Sequence, residues 1–276
     1  MSALASRFSS RRTELRSDAP LSDDEIRRVA PSIFAEEKHV SRSGRYAHIP
    51  TGDVLLALRK QGFQPFMAAQ TRTRDEGKRE HTKHMLRLRH ADQIATGEAN
   101  EIILLNSHDG TSSYQMMAGV FRFVCANGMV CGEISNDIRI RHSGNVVDGV
   151  IDGAFRVLDD FERVDQHKDA MKGIGLNPGE QAGFARAALA LKYDTEVAPA
   201  PVTESQILCA RRASDAGSDL WTTFNRVQEN VIRGGLDGRS ARNKRVTTRP
   251  VKGIDQNIKL NRALWVLAEE MRKLKG

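Results

Sequence analysis

KHMLRLRH, residues 83–90, decides the reading of the first half of the chain. Side chains alternate across a strand with period two. A strand here puts Lys83, Arg87 and Arg89 on one face and Leu86 and Leu88 on the other. The flanking stretches repeat the design. From Phe66 to Arg74 the same alternation groups Gln70, Arg72 and Arg74, and from Ile138 to His142 it sets Arg139 and Arg141 against Ile138 and Ile140. Strands of this kind sharing a sheet present one apolar face to a core and one nearly all-positive face to solvent. A face of one sign is the electrostatic footprint of a polyanion partner.

Outward from these strands the chain changes character twice. Residues 1–45 are rich in Ser, Arg and Asp and read as a flexible basic arm with one short helix, opened by Ser22 with Glu25 as a capping box. Thr51 is the expected N-cap of a helix that ends at Gly62. Strands are expected at 63–74, 83–90, 99–107 and 111–117, the last two joined by a type I′ turn at Asp109-Gly110. Residues 117–132 fit either a hairpin around Asn127-Gly128 or a helix. The spacing of Met117, Val120, Phe121 and Val124 favours the helix. A strand over 134–142 closes the mixed region.

From Asn145 the apolar period becomes helical. Helices are expected to Lys172, from Asn177-Pro178 to Tyr193, from Thr203 to about Ala213, from Ser218 to Gly234, and from Asp255 to Lys275. The fold class is therefore α+β: a mixed or antiparallel sheet with flanking helices over 46–143, then an all-helical half over 144–276.

Composition narrows the function classes. The 276 residues carry a formal net charge of +7, and aromatic residues make up 5%. The charge allows a nucleic-acid partner, and the few rings argue against an aromatic stacking platform. No apolar run is long enough to span a bilayer, and the N-terminus has no apolar signal core, so no membrane partner and a cytoplasmic setting are expected. Cys125, Cys131 and Cys209 are an odd, sparse set that suits free thiols.

Two further features bear on chemistry. RGGLDGRSARNKRVTTRPVK, residues 233–252, sets Arg239, Arg242, Lys244, Arg245, Arg249 and Lys252 against the single acid Asp237. It reads as a flexible basic loop, long for a helix connection and able to wrap a polyanion. Asn106, Ser107, His108, Asp109 and Gly110 gather polar side chains at a turn, a motif without an assigned role, with His108 expected in solvent. His81 and His84 have opposite strand parity, so no metal site is expected. No catalytic residues and no cofactor are expected either: the sequence holds no nucleophile elbow or phosphate-cradling glycine loop.

The segments PTGDVLLALRKQGFQP (50–65), KHMLRLRH (83–90), NSHDGTSSYQMMAGVFRFVCANGMV (106–130) and TRPVKGIDQNIKLNRALWVLAEEM (248–271) together resemble a family of bacterial proteins carried on phages, plasmids and integrated mobile elements, known as domain of unknown function 932 or the phage/plasmid-like protein family. The resemblance covers about residues 40–276 and implies a mobile-element setting rather than a reaction. The order of elements also resembles, at fold level, the core of single-strand annealing proteins, which implies DNA binding along a basic surface and assembly into homo-oligomers. The expectation is a non-enzymatic DNA-binding protein, single strands favoured over duplex, using Arg72, Arg74, Lys83, Arg87, Arg89, Arg139 and Arg141 as a platform and Arg239 to Lys252 as a clamp. The alternative is a protein-interaction factor, such as an inhibitor of host defence, that does not bind DNA.

Overall fold

A computed structural model describes residues 13–44, 46–90, 98–123, 127–131, 138–140 and 147–276. The chain divides into two compact units, one of residues 1–117 with 137–158, the other of residues 118–136 with 159–276. The division expected at 143–144 falls outside the described residues.

The first unit is built on an antiparallel sheet. Its strands are β1 (Glu14–Arg16), β2 (Phe63–Gln70), β3 (His84–His90), β4 (Glu98–Asn106), the opening residues of β5 (Tyr114–Arg122) and, after β6 (Asn127–Val130), β7 (Ile138–Ile140). β2 pairs with both β1 and β3, β3 also pairs with β4, and β7 pairs with Tyr114–Met116. The register of β2 slips between Pro65 and Met67, where proline has no N–H to give the ladder. Helices α1 (Asp23–Val29) and α2 (Thr51–Lys60) and a 3₁₀ turn at Pro31–Phe34 contribute Ile26, Val29, Ile33, Val54, Leu55 and Leu58 to the core. The capping box at Ser22 and Glu25 forms as expected. Residues 13–44 are not a mobile arm, however: β1 extends the sheet, and Leu21, Ile26 and Ile33 are buried.

Nearly every residue of β2, β3 and β4 is buried, whichever face it takes. The alternation in the sequence correctly assigns side chains to opposite faces, but both faces are covered.

The second unit holds the remainder of β5, paired with β6 through Gly119–Arg122 and Asn127–Val130. The helix expected over 117–132 is therefore corrected to strands. Met117, Ala118, Val120 and Phe121 are all buried, and a strand covered on both faces gives a continuous apolar run that also matches helical spacing. α3 (Val147–Lys172) enters this unit at Asp159, followed by α4 (Pro178–Lys192), α5 (Glu204–Leu208), α6 (Leu220–Arg233) and α7 (Ile254–Lys275). Asn177 and Glu180 form a capping box with Pro178 at the first helical position, and Thr203 with Gln206 forms another. Trp221, Phe224 and Trp265 pack ring against ring at 5.5 and 6.1 Å, with Phe184, Val227 and Leu264 around them.

α6 is buried along almost its whole length, polar positions included. Its amides find partners: Gln228 donates to Asn261 at 2.5 Å, and Asn230 to the carbonyls of Ile207 and Cys209 at 2.9 and 3.0 Å. The fold is thus α+β with a helical C-terminal half, as the sequence implies. One addition is a two-stranded hairpin of β8 (Asp237–Arg239) and β9 (Arg245–Thr247).

Candidate functional site

The sheet arginines occupy a different place from the one their pattern suggests. Arg87 and Arg89 do share a face of β3, but they are 0% and 2% exposed. Between them lies Glu101 of β4, itself fully buried, accepting from Arg87 Nη1 at 3.0 Å and from Arg89 Nε at 2.9 Å. The Arg89 guanidinium also stacks 4.2 Å over the Phe66 ring. Two guanidinium groups out of water require compensation of this kind, since an uncompensated buried charge costs several kcal/mol. The expectation that Arg87 and Arg89 form a solvent-facing platform is corrected for that reason. Glu101 was not singled out in the sequence, although an acid among apolar neighbours on a strand beside an arginine row is the available signal.

Gln70 is buried too, accepting from the Ser32 amide and hydroxyl at 3.2 and 2.9 Å. β2 ends at Gln70, so Arg72 and Arg74 do not continue its face and lie exposed in the following turn. Lys83 is partly exposed and Arg139 exposed on β7. Arg141 lies outside the described residues.

The Asn106–Gly110 motif is largely internal. Asn106, Ser107 and His108 are fully buried at the end of β4. The type I′ turn is corrected: of Asp109 and Gly110, only Gly110 has positive φ, and β5 starts at Tyr114, so residues 107–113 make a longer loop. Asp109 turns back locally, accepting from the Thr111 amide at 3.0 Å and its hydroxyl at 2.6 Å. Thr51, expected as a cap, instead points inward. Its hydroxyl accepts from Asn106 Nδ2 and meets His84 Nε2, both at 2.9 Å. His84 Nδ1 lies 3.1 Å from the Thr82 carbonyl. Donation there leaves Nε2 to accept the Thr51 proton.

Around this network five histidines gather. The His108 ring stands 4.5 Å from that of His48 and 5.1 Å from that of His84, and His39 meets His81 at 5.2 Å. Burial pushes His84 down to about 4. Burial, reinforced by the neighbouring histidines, pushes His108 down to about 2. Neither His108 ring nitrogen has a well-formed hydrogen bond among the described residues, and the Ser32 backbone offers only slight compensation. The His84 and His108 rings are neutral at physiological pH and act as packing groups with polar edges. Among the described residues no three His, Cys, Asp or Glu side chains stand together to hold a metal ion. Nor is any helix there long and apolar enough to cross a membrane.

In the second unit, residues 233–252 are not a flexible loop but an ordered hairpin. α6 ends at Gly234, whose φ of 65° and close approach to the Thr248 carbonyl suit only glycine. Arg239 and Arg245 are direct cross-strand partners. The turn between them closes through the Ser240 amide on the Lys244 carbonyl at 2.9 Å, with Asn243 at φ 57°. The Arg239 guanidinium donates to Asn243 Oδ1 at 3.1 Å. Thr247 Oγ1 donates to Asp237 at 2.9 Å.

Arg239, Arg242, Lys244, Arg245, Arg249 and Lys252 are all exposed, and none forms an ion pair among the described residues. Other cations of this unit are engaged. Arg212 makes a two-pronged contact with Glu229 at 2.7 and 2.8 Å and also pairs with Asp215, which in turn takes Arg122 at 3.1 Å. The structure thus sets Arg239 and Arg245 opposite each other on the hairpin, and of the sheet cations it withdraws Arg87 and Arg89 from solvent.

Comparison with known proteins agrees with the resemblance noted from the sequence. The chain is 55% identical over 271 residues, 98% of each chain, to "UPF0380 protein YafZ" of Escherichia coli (strain K12), and it matches "UPF0380 protein YfjQ" of the same organism to the same extent. No solved structure matches it. The family model described as "Domain of unknown function (DUF932)" matches residues 38–265, and a match of that span establishes that the chain belongs to this family.

Proposed function

We propose that the protein binds nucleic acid, in the setting of a bacterial mobile element, and that the β8–β9 hairpin with its flanks is the contact surface. The observation that supports this reading is the unbalanced charge there: Arg239, Arg242, Lys244, Arg245, Arg249 and Lys252 are exposed around the single acid Asp237. Arginine makes bidentate contacts to phosphate, and each phosphate neutralised releases counterions. The hairpin holds its cations on an ordered scaffold, so less conformational entropy is lost on binding than for a loop that must first order. Arg72, Arg74 and Arg139 are exposed and form no part of this proposal. Arg87 and Arg89, being internal, have no role at the surface.

The test is fluorescence anisotropy with labelled DNA over a salt series. The expected result is binding that weakens steeply with salt. Replacing Arg242 and Lys244 together with Ala should weaken binding of every sequence and flatten the log–log slope by about one for each residue. A folded double variant with unchanged affinity and slope would overturn the assignment. Absence of DNA binding at low salt, together with capture of an acidic protein partner by the same hairpin, would replace it with the protein-interaction reading.

A further inference from the structure

Alongside the hairpin the second unit carries an open groove of about 970 Å³, lined by Pro199–Thr203, Gln206, Asp237–Ser240 and Arg245–Thr247. We infer that this groove holds one unpaired strand of nucleic acid, an inference that rests on the nucleic-acid reading above. The volume lies at the upper end of the range for small-ligand pockets, which runs to about 1,000 Å³, and the groove is open rather than enclosed.

Its lining divides by chemistry. Arg239 and Arg245 supply a cross-strand pair of guanidinium groups, with Cβ atoms about 5 Å apart as directly opposed residues are. Pro199, Pro201, Val202 and Val246 supply apolar surface, and Thr203, Gln206, Ser240 and Thr247 supply side chains able to hydrogen-bond. A phosphate backbone needs the first set. An unstacked base can bury against the second, which duplex DNA does not offer because its bases remain stacked inside. Guanidinium planes can also stack on splayed bases, and this makes up for the absence of any aromatic ring in residues 199–206 and 237–247.

The segments that line the groove are joined to each other by hydrogen bonds. The Arg239 amide donates to the Pro201 carbonyl at 2.8 Å, and a Cβ on Gly238 would come within 2.0 Å of that same oxygen. The Asp237 carbonyl accepts from Gln206 at 2.7 Å. The lining is therefore fixed in place before any ligand arrives. The carboxylate of Asp237, the only acid in the lining, is occupied by the Thr247 hydroxyl.

The experiment compares labelled oligothymidylate with a duplex of equal length, using the full chain and two variants of equal charge change. Val246→Glu places a carboxylate in the groove. Ala241→Glu places one on the exposed turn, outside the groove lining. The expected result is tighter binding of the single strand, with Val246→Glu weakening it at least tenfold more than Ala241→Glu. Equal losses from the two variants would overturn the groove assignment. Tighter binding of duplex would overturn it too, while leaving the nucleic-acid reading in place. No binding of either form at low salt would remove both. Should Val246→Glu fail to fold, crosslinking of wild-type protein to an oligonucleotide carrying 4-thiothymidine decides the matter. Adducts within 199–206 or 237–247 support the groove, and adducts confined to other segments exclude it.

Discussion

Glu101 carries more of the first unit than its single charge suggests. It compensates both Arg87 and Arg89 inside the sheet. Glu101→Gln should cost about 3–5 kcal/mol of stability, because it removes the carboxylate that both buried arginines hold. Urea unfolding of the variant against wild type checks this, and a loss below about 1 kcal/mol would mean that water reaches the pair. The histidines give a second prediction, on pH. His84 and His108 have folded-state values below the ordinary value of about 6.5. Their contribution is therefore complete above that value and is lost as pH falls towards the folded-state values, since the unfolded chain binds protons that the folded chain refuses. Each histidine should steepen the decline below about pH 6 by up to about 1.4 kcal/mol per pH unit. Replacing His108 with Leu should flatten the decline measured between pH 6 and pH 4, and an unchanged slope would show that the ring is not dry. At this scale the sequence told which residues share a face and not what covers that face. A row of arginines beside leucines looks the same whether the partner is water or a buried glutamate on the next strand, and that glutamate is remote in sequence.

Helix starts were the most legible boundaries, because they are written locally, whereas the helix expected to reach about Ala213 stops at Leu208. The capping boxes at Ser22, Asn177 and Thr203 all form where their spacing places them. Asn177→Ala should accordingly cost about 1 kcal/mol, from loss of the side-chain acceptor for the Glu180 amide at 2.9 Å. The elements misread depend on remote partners. β6 completes a strand pair that local spacing alone renders as helix, and the hairpin within 233–252 hides in a run whose glycines and serine suggest freedom. What orders that hairpin is its junction with α6. Gly234→Ala should destabilise by more than about 1 kcal/mol, since the new methyl meets the Thr248 carbonyl and alanine disfavours positive φ. Amide exchange should quicken in Asp237–Arg239 and Arg245–Thr247 before it does in α7. Uniform exchange across the unit would contradict this order.

For the whole molecule, the segregation of sheet and helices was readable from the change of hydrophobic period, and the α+β class follows from it. The division into units was not readable, because contacts and not periodicity define it. β5 begins in the first unit and finishes in the second, and α3 does the same. Residues 159–276 expressed alone lack the 118–136 segment of their own unit. They should show a broad, weakly cooperative thermal transition and little of the ring-packing signal in near-ultraviolet circular dichroism, where the full chain shows both. A sharp native-like transition in that fragment would mean that the segment is dispensable. The threading also has a bearing on descent. No uninterrupted stretch of gene encodes either unit, so a single crossover between residues 118 and 158 divides both, and one at either end of that span divides one of them. The family match runs from residue 38 to residue 265, across every boundary between the units.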